Sequence, residues 1–463
     1  MRVTKAAVSN GVAIAVVAAV VGLIVRANLG GSGEALREPR AKLAGTVGAA
    51  STPRDGLQQT IERMRARVAA NSTDASAAVV LADALLRQAR VSGNPGLAVE
   101  AEHALAVVLK RDPLEYEARR MLATVYLSEH RFREAIDEAT RASGQFARDP
   151  WNYGVIGDGH LEIGDYDAAF AAFQRMMDLR PSASAYARAS YAFELRGNLT
   201  AALQAMRMAV DATSPRDPES LAWHYAHVGD LLALLGRVDE ARTAYEWAVG
   251  SWPGHPSAVM GLSRLKQAEG DYTGALALYL AQFKDAPTPD LAAQIGDVYA
   301  ALDNRSDAER YYALAESGWR TDAPEPKNLA RFLADRGRSP DQAVAIAEQA
   351  ARDRHDIFTQ DALAWAYFRV GRFAEASRLS ALALRTGTRD RALLYHAAAI
   401  TYAAGDNEAA RTLVTRSLEG NPRFDLVCAP AARALRETLA TRRPDAERPL
   451  TRAKGKGLEK GTG

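Results

Sequence analysis

The residues best suited to chemistry lie in the segment LAWHYAHVGD, residues 221–230. Trp223, His227 and Asp230 follow one another at spacings of four and three residues, with His224 alongside, so a helix would place the three on one face. A histidine and a carboxylate at this spacing could share a metal ion. The alternative is that these side chains simply pack against a neighbouring helix. The sequence favours this second interpretation.

Other catalytic chemistry finds little support. The phosphate-binding pattern GxxxxGK[ST], the zinc-binding helix HExxH and the nucleophile pattern GxSxG are all absent. Cys428 is the single cysteine, so neither an internal disulfide nor a cysteine-based zinc site is expected. We therefore predict no enzymatic activity, no cofactor and no metal site.

Composition indicates closely packed helices. Of 463 residues, 48% are hydrophobic but only 7% are aromatic, because alanine, leucine and valine dominate. The net charge is +2, with 58 basic and 56 acidic residues, so nucleic acid is not an expected partner. Arginine far outnumbers lysine, which we interpret as a trace of genome composition and of a bacterial source.

An alanine recurs at the same place in a pattern about 34 residues long, the length of one helix-turn-helix unit. The alanines are Ala101, Ala135, Ala169, Ala202, Ala241, Ala275, Ala308, Ala343, Ala376 and Ala410. Chance would not maintain this period through so many units, so the chain is predicted to be a repeat protein rather than a set of separate globular domains.

The neighbours of the alanine recur as well. Gly157, Gly164, Phe173 and Pro181 around Ala169 have counterparts at the same offsets around Ala241, namely Gly229, Gly236, Tyr245 and Pro253. The glycine between the two helical patterns can take a positive φ and end the first helix, and the proline ends the second. In these positions the chain resembles the tetratricopeptide repeat family from about Asp74 to Pro422.

The resemblance implies an all-α fold, a right-handed superhelical solenoid of about ten helix pairs whose first helices form a concave inner surface. We divide the chain into a signal anchor or signal peptide (1–27), a flexible linker (28–56), the solenoid with a capping helix at each end (57–441) and a disordered basic tail (442–463). An N-terminal hydrophobic helix precedes the repeats in this scheme.

Several first-helix side chains are candidates for binding in the groove, on the positions that face it in the family. They are Asp158, Tyr191, Trp223, His227, Asp230 and Asp297. Three of them are acids directly after a glycine, and such a row would repel a partner's C-terminal carboxylate and favour arginine, lysine or hydrogen-bond donors. The alternative is that the acids are merely solvated.

Residues Ala6 to Val25 carry no charge, and twenty helical residues just span the roughly 30 Å core of a bilayer. Arg2 and Lys5 precede the segment, which favours an N-terminus inside the cell and repeats outside the cytoplasm. Cleavage near Ala27 and a cytoplasmic body behind the anchor remain alternatives, as does a segment that never enters a membrane.

Taken together, the sequence predicts a non-catalytic scaffold, tethered to the inner membrane or exported, that holds a protein or peptide in its groove. One alternative is a structural subunit of an envelope or secretion assembly. Another is an envelope protein that binds a small ligand or a metal through the region from Trp223 to Asp230.

Overall fold

The computed structural model describes residues 53–321 and 326–441, and every regular element in these two ranges is an α-helix. The predicted hydrophobic segment, most of the predicted linker and the basic tail lie outside the described residues. The helices are α1 Pro53–Ala70, α2 Ala75–Ser92, α3 Gly96–Arg111, α4 Tyr116–Ser128, α5 Phe132–Gln145, α6 Pro150–Ile163, α7 Tyr166–Leu179, α8 Ala183–Leu195, α9 Leu199–Ala212, α10 Pro218–Leu234, α11 Val238–Ser251, α12 Pro256–Glu269, α13 Tyr272–Asp285, α14 Pro289–Ala301, α15 Arg305–Thr321, α16 Pro326–Asp335, α17 Pro340–Ala350, α18 Ile357–Arg369, α19 Phe373–Ala383, α20 Arg391–Ala403, α21 Asn407–Leu418 and α22 Cys428–Thr441. Within the two described ranges, none of these helices combines the length and the apolar character needed to span a bilayer.

Ten antiparallel helix pairs make up the repeat, from α2 and α3 (unit 1) to α20 and α21 (unit 10), with α1 and α22 at the two ends. Each of the ten recurrent alanines lies in the second helix of its unit, and each is at most 3% exposed. A methyl group is the largest side chain that fits where two helices pack so closely. The predicted all-helical solenoid and its period are therefore confirmed.

A glycine and an aspartate together make the turn inside unit 3. Gly164 follows α6 with φ +86°, a left-handed conformation that costs glycine little, and its N–H donates to helix carbonyls. Asp165 comes next, and its carboxylate accepts a hydrogen bond from the N–H of Ala168 in the first turn of α7. The local sequence therefore ends one helix and starts the next.

Large side chains of the second helices pack over glycines of the first helices. An added Cβ on Gly229 would lie 2.5 Å from the Tyr245 ring, and one on Gly261 in the next unit would meet the same ring. Tyr245 is 1% exposed. One aromatic side chain thus fills the space within its own unit and the space to the following unit, so that neighbouring units share one core.

Units also contact each other across a full turn of the superhelix. In each case, the glycine in the turn between the two helices of one unit packs against the start of the unit that lies six places further along the chain. For unit 5, the contact is with the loop before the C-terminal capping helix. These contacts join Gly93 of unit 1 to Thr288 of unit 7, Gly164 of unit 3 to Asp356 of unit 9, Gly197 of unit 4 to Gly387 before unit 10, and Gly236 of unit 5 to Gly420 before α22. Simple solenoids are stabilised only by contacts between neighbouring units, whereas this one adds contacts between successive turns.

Hydrogen bonds and apolar packing strengthen these contacts. The Ile357 N–H donates to the Tyr166 hydroxyl at 2.8 Å, and the His355 N–H donates to the Ile163 carbonyl at 3.0 Å. Arg391 donates to the carbonyls at the end of α10, including Leu234 at 2.9 Å. Buried side chains from units 3, 4, 9 and 10 form one apolar cluster at the same place. Successive turns are therefore joined by a core rather than by isolated surface contacts.

Candidate functional site: the inner surface

All six predicted groove residues lie on first helices, from α6 to α14. The first helices of neighbouring units contact one another directly, as α4 does with α6, α10 with α12 and α16 with α18. Elements that follow the shorter arc of a superhelix lie closer together, which places the first helices on its inner side. We call the face that they form the inner surface.

Asp158 on α6 is held by an arginine of the next unit. Arg188 on α8 donates from Nε to Asp158 Oδ1 at 2.9 Å and from a terminal nitrogen to Oδ2 at 2.5 Å. The two side chains are 30% and 23% exposed, so this bidentate pair lies half-buried on the inner surface. It ties two neighbouring first helices together and leaves no net charge at this position.

Asp230 and Asp297 are each bonded to a residue of their own unit and to one of the next unit. Asp230 Oδ1 accepts hydrogen bonds from the Tyr245 hydroxyl at 2.8 Å and from Arg264 of the next unit at 2.6 Å. Asp297 is likewise bonded to a tyrosine of its own unit and to an arginine of the next, Tyr312 and Arg336, at 2.6 to 2.9 Å. The three acids therefore bridge units 3 and 4, 5 and 6, and 7 and 8.

These pairs correct one expectation from the sequence. The acids do not form a row of free negative charge, because each carboxylate has an arginine partner, so the predicted repulsion of a C-terminal carboxylate loses its basis. Asp297 lies on a first helix as predicted, but its side chain is only 5% exposed and both of its oxygens accept hydrogen bonds. The arginines were missed because they lie one unit further along the chain.

Tyr191, Trp223 and His227 lie between the first two of these pairs. The Trp223 and His227 rings contact each other at 4.1 Å between centroids, inclined by 31°. Burial lowers the pKa of His227, so its ring is neutral at neutral pH. His224 points elsewhere, with Nδ1 2.9 Å from the Thr213 hydroxyl. Trp223 and His227 thus stack on each other, and Tyr191 lies on the first helix of the preceding unit. Asp230 is paired with Arg264, so its carboxylate is not free to share a metal ion with His227.

Glu194 on α8 is a titratable group that the sequence did not single out. Burial, followed by the negative charges of Asp230 and Asp390, raises the pKa of this carboxyl to about 8. Asp390 belongs to unit 10, so the environment of Glu194 includes the next turn of the superhelix. No local signal could have identified this residue.

At the C-terminal end of the same layer, Asp335, His396 and Cys428 converge. In the two described ranges, they are the only group of three or more histidine, cysteine, aspartate or glutamate side chains whose ligand atoms all lie within 4.8 Å. They come from α16, α20 and α22, and the sequence analysis missed them because they are far apart in the chain.

The chain is similar to one protein family and to several solved structures. A model of the tetratricopeptide repeat family matches residues 155–218 and 229–288. A search of curated proteins found no match. Among solved structures, a tetratricopeptide repeat protein from Parabacteroides merdae is 17% identical, covers 60% of this chain and 97% of its own, and gives a TM-score of 0.40.

Two further solved structures are similar over more of the chain. Yeast Tom70 is 13% identical over 83% of this chain and 96% of its own, with a TM-score of 0.38. A chain of the APC/C hetero-tetramer Cut9-Hcn1 is 13% identical over 84% of this chain and 97% of its own, with a TM-score of 0.32. The family match covers residues 155–218 and 229–288, and the ten helix pairs show that the described part of the chain is an α-solenoid.

Proposed function

We propose that the protein is a non-catalytic scaffold that binds an extended segment of a protein partner along its inner surface. The observation that carries the proposal is the stretch from Asp158 to Arg264, where Tyr191, Trp223 and His227 lie between two half-buried Asp–Arg pairs on successive first helices. This stretch offers aromatic contact area and hydrogen-bonding groups without net charge.

The neutral pairs favour a particular kind of ligand. An Asp–Arg pair can accept a hydrogen bond through its carboxylate and donate one through its guanidinium, which matches the N–H and C=O groups of an extended main chain. A charged terminus would have to compete with the partner that each ion already has. We therefore propose an internal peptide segment rather than a free C-terminus, with aromatic or aliphatic anchors packed against Trp223.

Selection of linear peptides by the full-length chain tests this proposal. Peptides from a random library, selected on the wild-type protein, are expected to bind the Trp223→Ala and Tyr191→Ala variants about tenfold or more weakly, since buried aromatic anchors dominate such interfaces. Val99→Ala is the matched control, because Val99 is 60% exposed on the second helix of unit 1. Equal binding to wild type and to both inner-surface variants would place the peptide elsewhere and refute the proposal.

We further propose that residues 6–25 anchor the protein in a bacterial inner membrane with the repeats outside the cytoplasm. The support is the uncharged stretch of twenty residues preceded by Arg2 and Lys5. A reporter fused after Gly463 that is active only outside the cytoplasm is expected to give signal, whereas a cytoplasmic reporter is expected to stay silent. The opposite pattern would reject this topology, and N-terminal sequencing of the mature protein would reveal cleavage near Ala27.

A further inference from the structure

A compact set of ligand atoms lies at the C-terminal end of the inner layer. His396 Nε2 is 3.1 Å from Asp335 Oδ1 and 3.7 Å from Cys428 Sγ. The His396 side chain is fully buried, Asp335 is 7% exposed at its side chain, and Cys428 is 3% exposed. We call these three residues the C-terminal cluster. One carboxylate, one imidazole and one thiol thus share a small space with little access to water.

The Asp335 carboxylate gives a second and independent indication of a cation. Its Oδ1 is buried and, although close to Nε2, lacks the alignment of a hydrogen bond. Arg331 approaches the other oxygen, Oδ2, only to 3.5 Å. A buried carboxylate oxygen without a well-formed hydrogen bond is costly, and coordination of a metal ion is one of the few arrangements that offsets this cost.

His396 is held in the orientation that a metal ligand needs. Asp361 Oδ2 lies 2.9 Å from Nδ1, on the side of the ring opposite the cluster. Trp365 stacks on the imidazole with 4.2 Å between centroids and 11° between planes. A carboxylate on one ring nitrogen fixes the tautomer and directs the other nitrogen towards the ion, an arrangement that recurs around protein-bound zinc.

We propose that Asp335, His396 and Cys428 form a site for a zinc-like divalent transition-metal ion, with Asp361 and Trp365 as positioning residues. Tetrahedral zinc binds nitrogen and oxygen at about 2.0–2.2 Å and sulfur at about 2.3 Å, so its ligand atoms lie roughly 3.3–3.8 Å apart. The distance of 3.7 Å from Nε2 to Cys428 Sγ already lies in this range, and the distance of 3.1 Å to Asp335 Oδ1 needs only a small increase to reach it. Thiolate and imidazole exclude magnesium and calcium as preferred ions, since those ions prefer oxygen ligands.

The charges balance without further change in the protein. On binding, the ion replaces the thiol proton of Cys428, which passes to solvent, while His396 coordinates through the lone pair of Nε2. The Asp335 carboxylate and the Cys428 thiolate then carry two negative charges, which balance the two positive charges of the ion. Three protein ligands leave a fourth position, which water or a side chain of a bound partner can take. The ion would join α16, α20 and α22, and so tie units 8 and 10 to the C-terminal cap.

Metal titration of the full-length chain, purified without a polyhistidine tag and stripped with a chelator, tests the site. Cobalt(II) is expected to produce the near-ultraviolet thiolate charge-transfer band and the visible bands of tetrahedral coordination, and zinc is expected to displace it at one ion per chain. In Cys428→Ser the charge-transfer band is expected to disappear, and in Asp335→Asn zinc affinity is expected to fall at least about tenfold. Asp303→Asn, which removes a carboxylate that is 93% exposed in the turn inside unit 7, is expected to bind as wild type does.

Thermal unfolding separates loss of the site from loss of the fold. Zinc is expected to raise the Tm of wild type and of Asp303→Asn, and to leave that of Cys428→Ser unchanged while its helical circular dichroism stays the same. Asp361→Asn is expected to weaken zinc binding by about 10- to 100-fold, as loss of an orienting carboxylate does. The proposal is overturned if the stripped chain takes up no cobalt or zinc, or if the thiolate band or the rise in Tm persists in Cys428→Ser.

Discussion

Gly164 lies where two successive turns of the superhelix touch, and substituting alanine there should separate them. An added Cβ would lie 2.5 Å from the backbone N of Asp356, and other backbone atoms of the same loop are as close. Backbone cannot move aside as a flexible side chain can. The substitution therefore tests whether contacts between turns stabilise the solenoid.

Gly371→Ala is the matched control. Gly371 has the same role within unit 9 and φ +81°, close to the +86° of Gly164, but nothing lies within 4 Å of an added Cβ. Both variants carry the strain of a left-handed alanine, about 1–2 kcal/mol, partly offset by about 0.4–1 kcal/mol from the stiffer unfolded chain. The difference between the free energies of unfolding of the two variants therefore measures the contribution of the contact between turns.

We expect Gly164→Ala to lose about 1–3 kcal/mol more than Gly371→Ala, the usual cost of forcing extra atoms into a packed region. The loss of stability in Gly164→Ala is larger if the hydrogen bond from His355 N–H to Ile163 O also breaks, since each such bond contributes about 1 kcal/mol. Urea unfolding followed by circular dichroism gives the difference. Hydrogen exchange should show faster exchange at residues 355–360 in Gly164→Ala only. Equal losses in the two variants, with unchanged exchange at this loop, would refute the role that we give to the turn contacts.

Three further substitutions test the same contacts. Tyr166→Phe leaves the buried Ile357 N–H without its acceptor, so the free energy of unfolding in urea is expected to fall by about 1–2 kcal/mol. A variant as stable as the wild type would contradict this. Arg391→Met removes the donor to the carbonyls at the end of α10 and is expected to lower the free energy of unfolding by about 1–3 kcal/mol. Hydrogen exchange at the end of α10 is expected to become faster, and unchanged exchange would argue against the contact. The pKa of Glu194 is raised to about 8, so wild-type stability is expected to fall as pH rises from about 4.5 to 8, and Glu194→Gln to gain on the order of 1–3 kcal/mol over wild type by pH 9. A difference between these two proteins that does not change with pH would show that this carboxyl keeps its ordinary pKa.

Much of the fold could be predicted from the sequence because each unit is defined locally. A glycine ends the first helix, an aspartate or asparagine often caps the second, and an alanine marks the closest approach between them. These signals recur at nearly constant spacing, so the helix pairs and the placement of the candidate residues on first helices followed without any knowledge of distant contacts.

The candidate site was predicted less completely, because its chemistry depends on neighbours that no motif announces. The sequence showed the acids at 158, 230 and 297 but not the arginines that pair with them, and the pairs remove the net negative charge that the sequence predicted. Trp223 and His227 were placed correctly on one face, since a helix fixes that spacing. The predicted sharing of a metal ion between His227 and Asp230 was not supported, because the Asp230 carboxylate is bonded to Tyr245 and Arg264 instead.

The sequence by itself determined the period, the helix pairs and the layer to which each side chain belongs, since all three depend on interactions within a unit or between neighbours. Only the tertiary structure decided that Gly164 meets Asp356, and that Asp335, His396 and Cys428 converge. The physical reason is that a small rotation between successive units accumulates along the solenoid. Which units meet after a full turn depends on the sum of these rotations, and no single repeat encodes that sum.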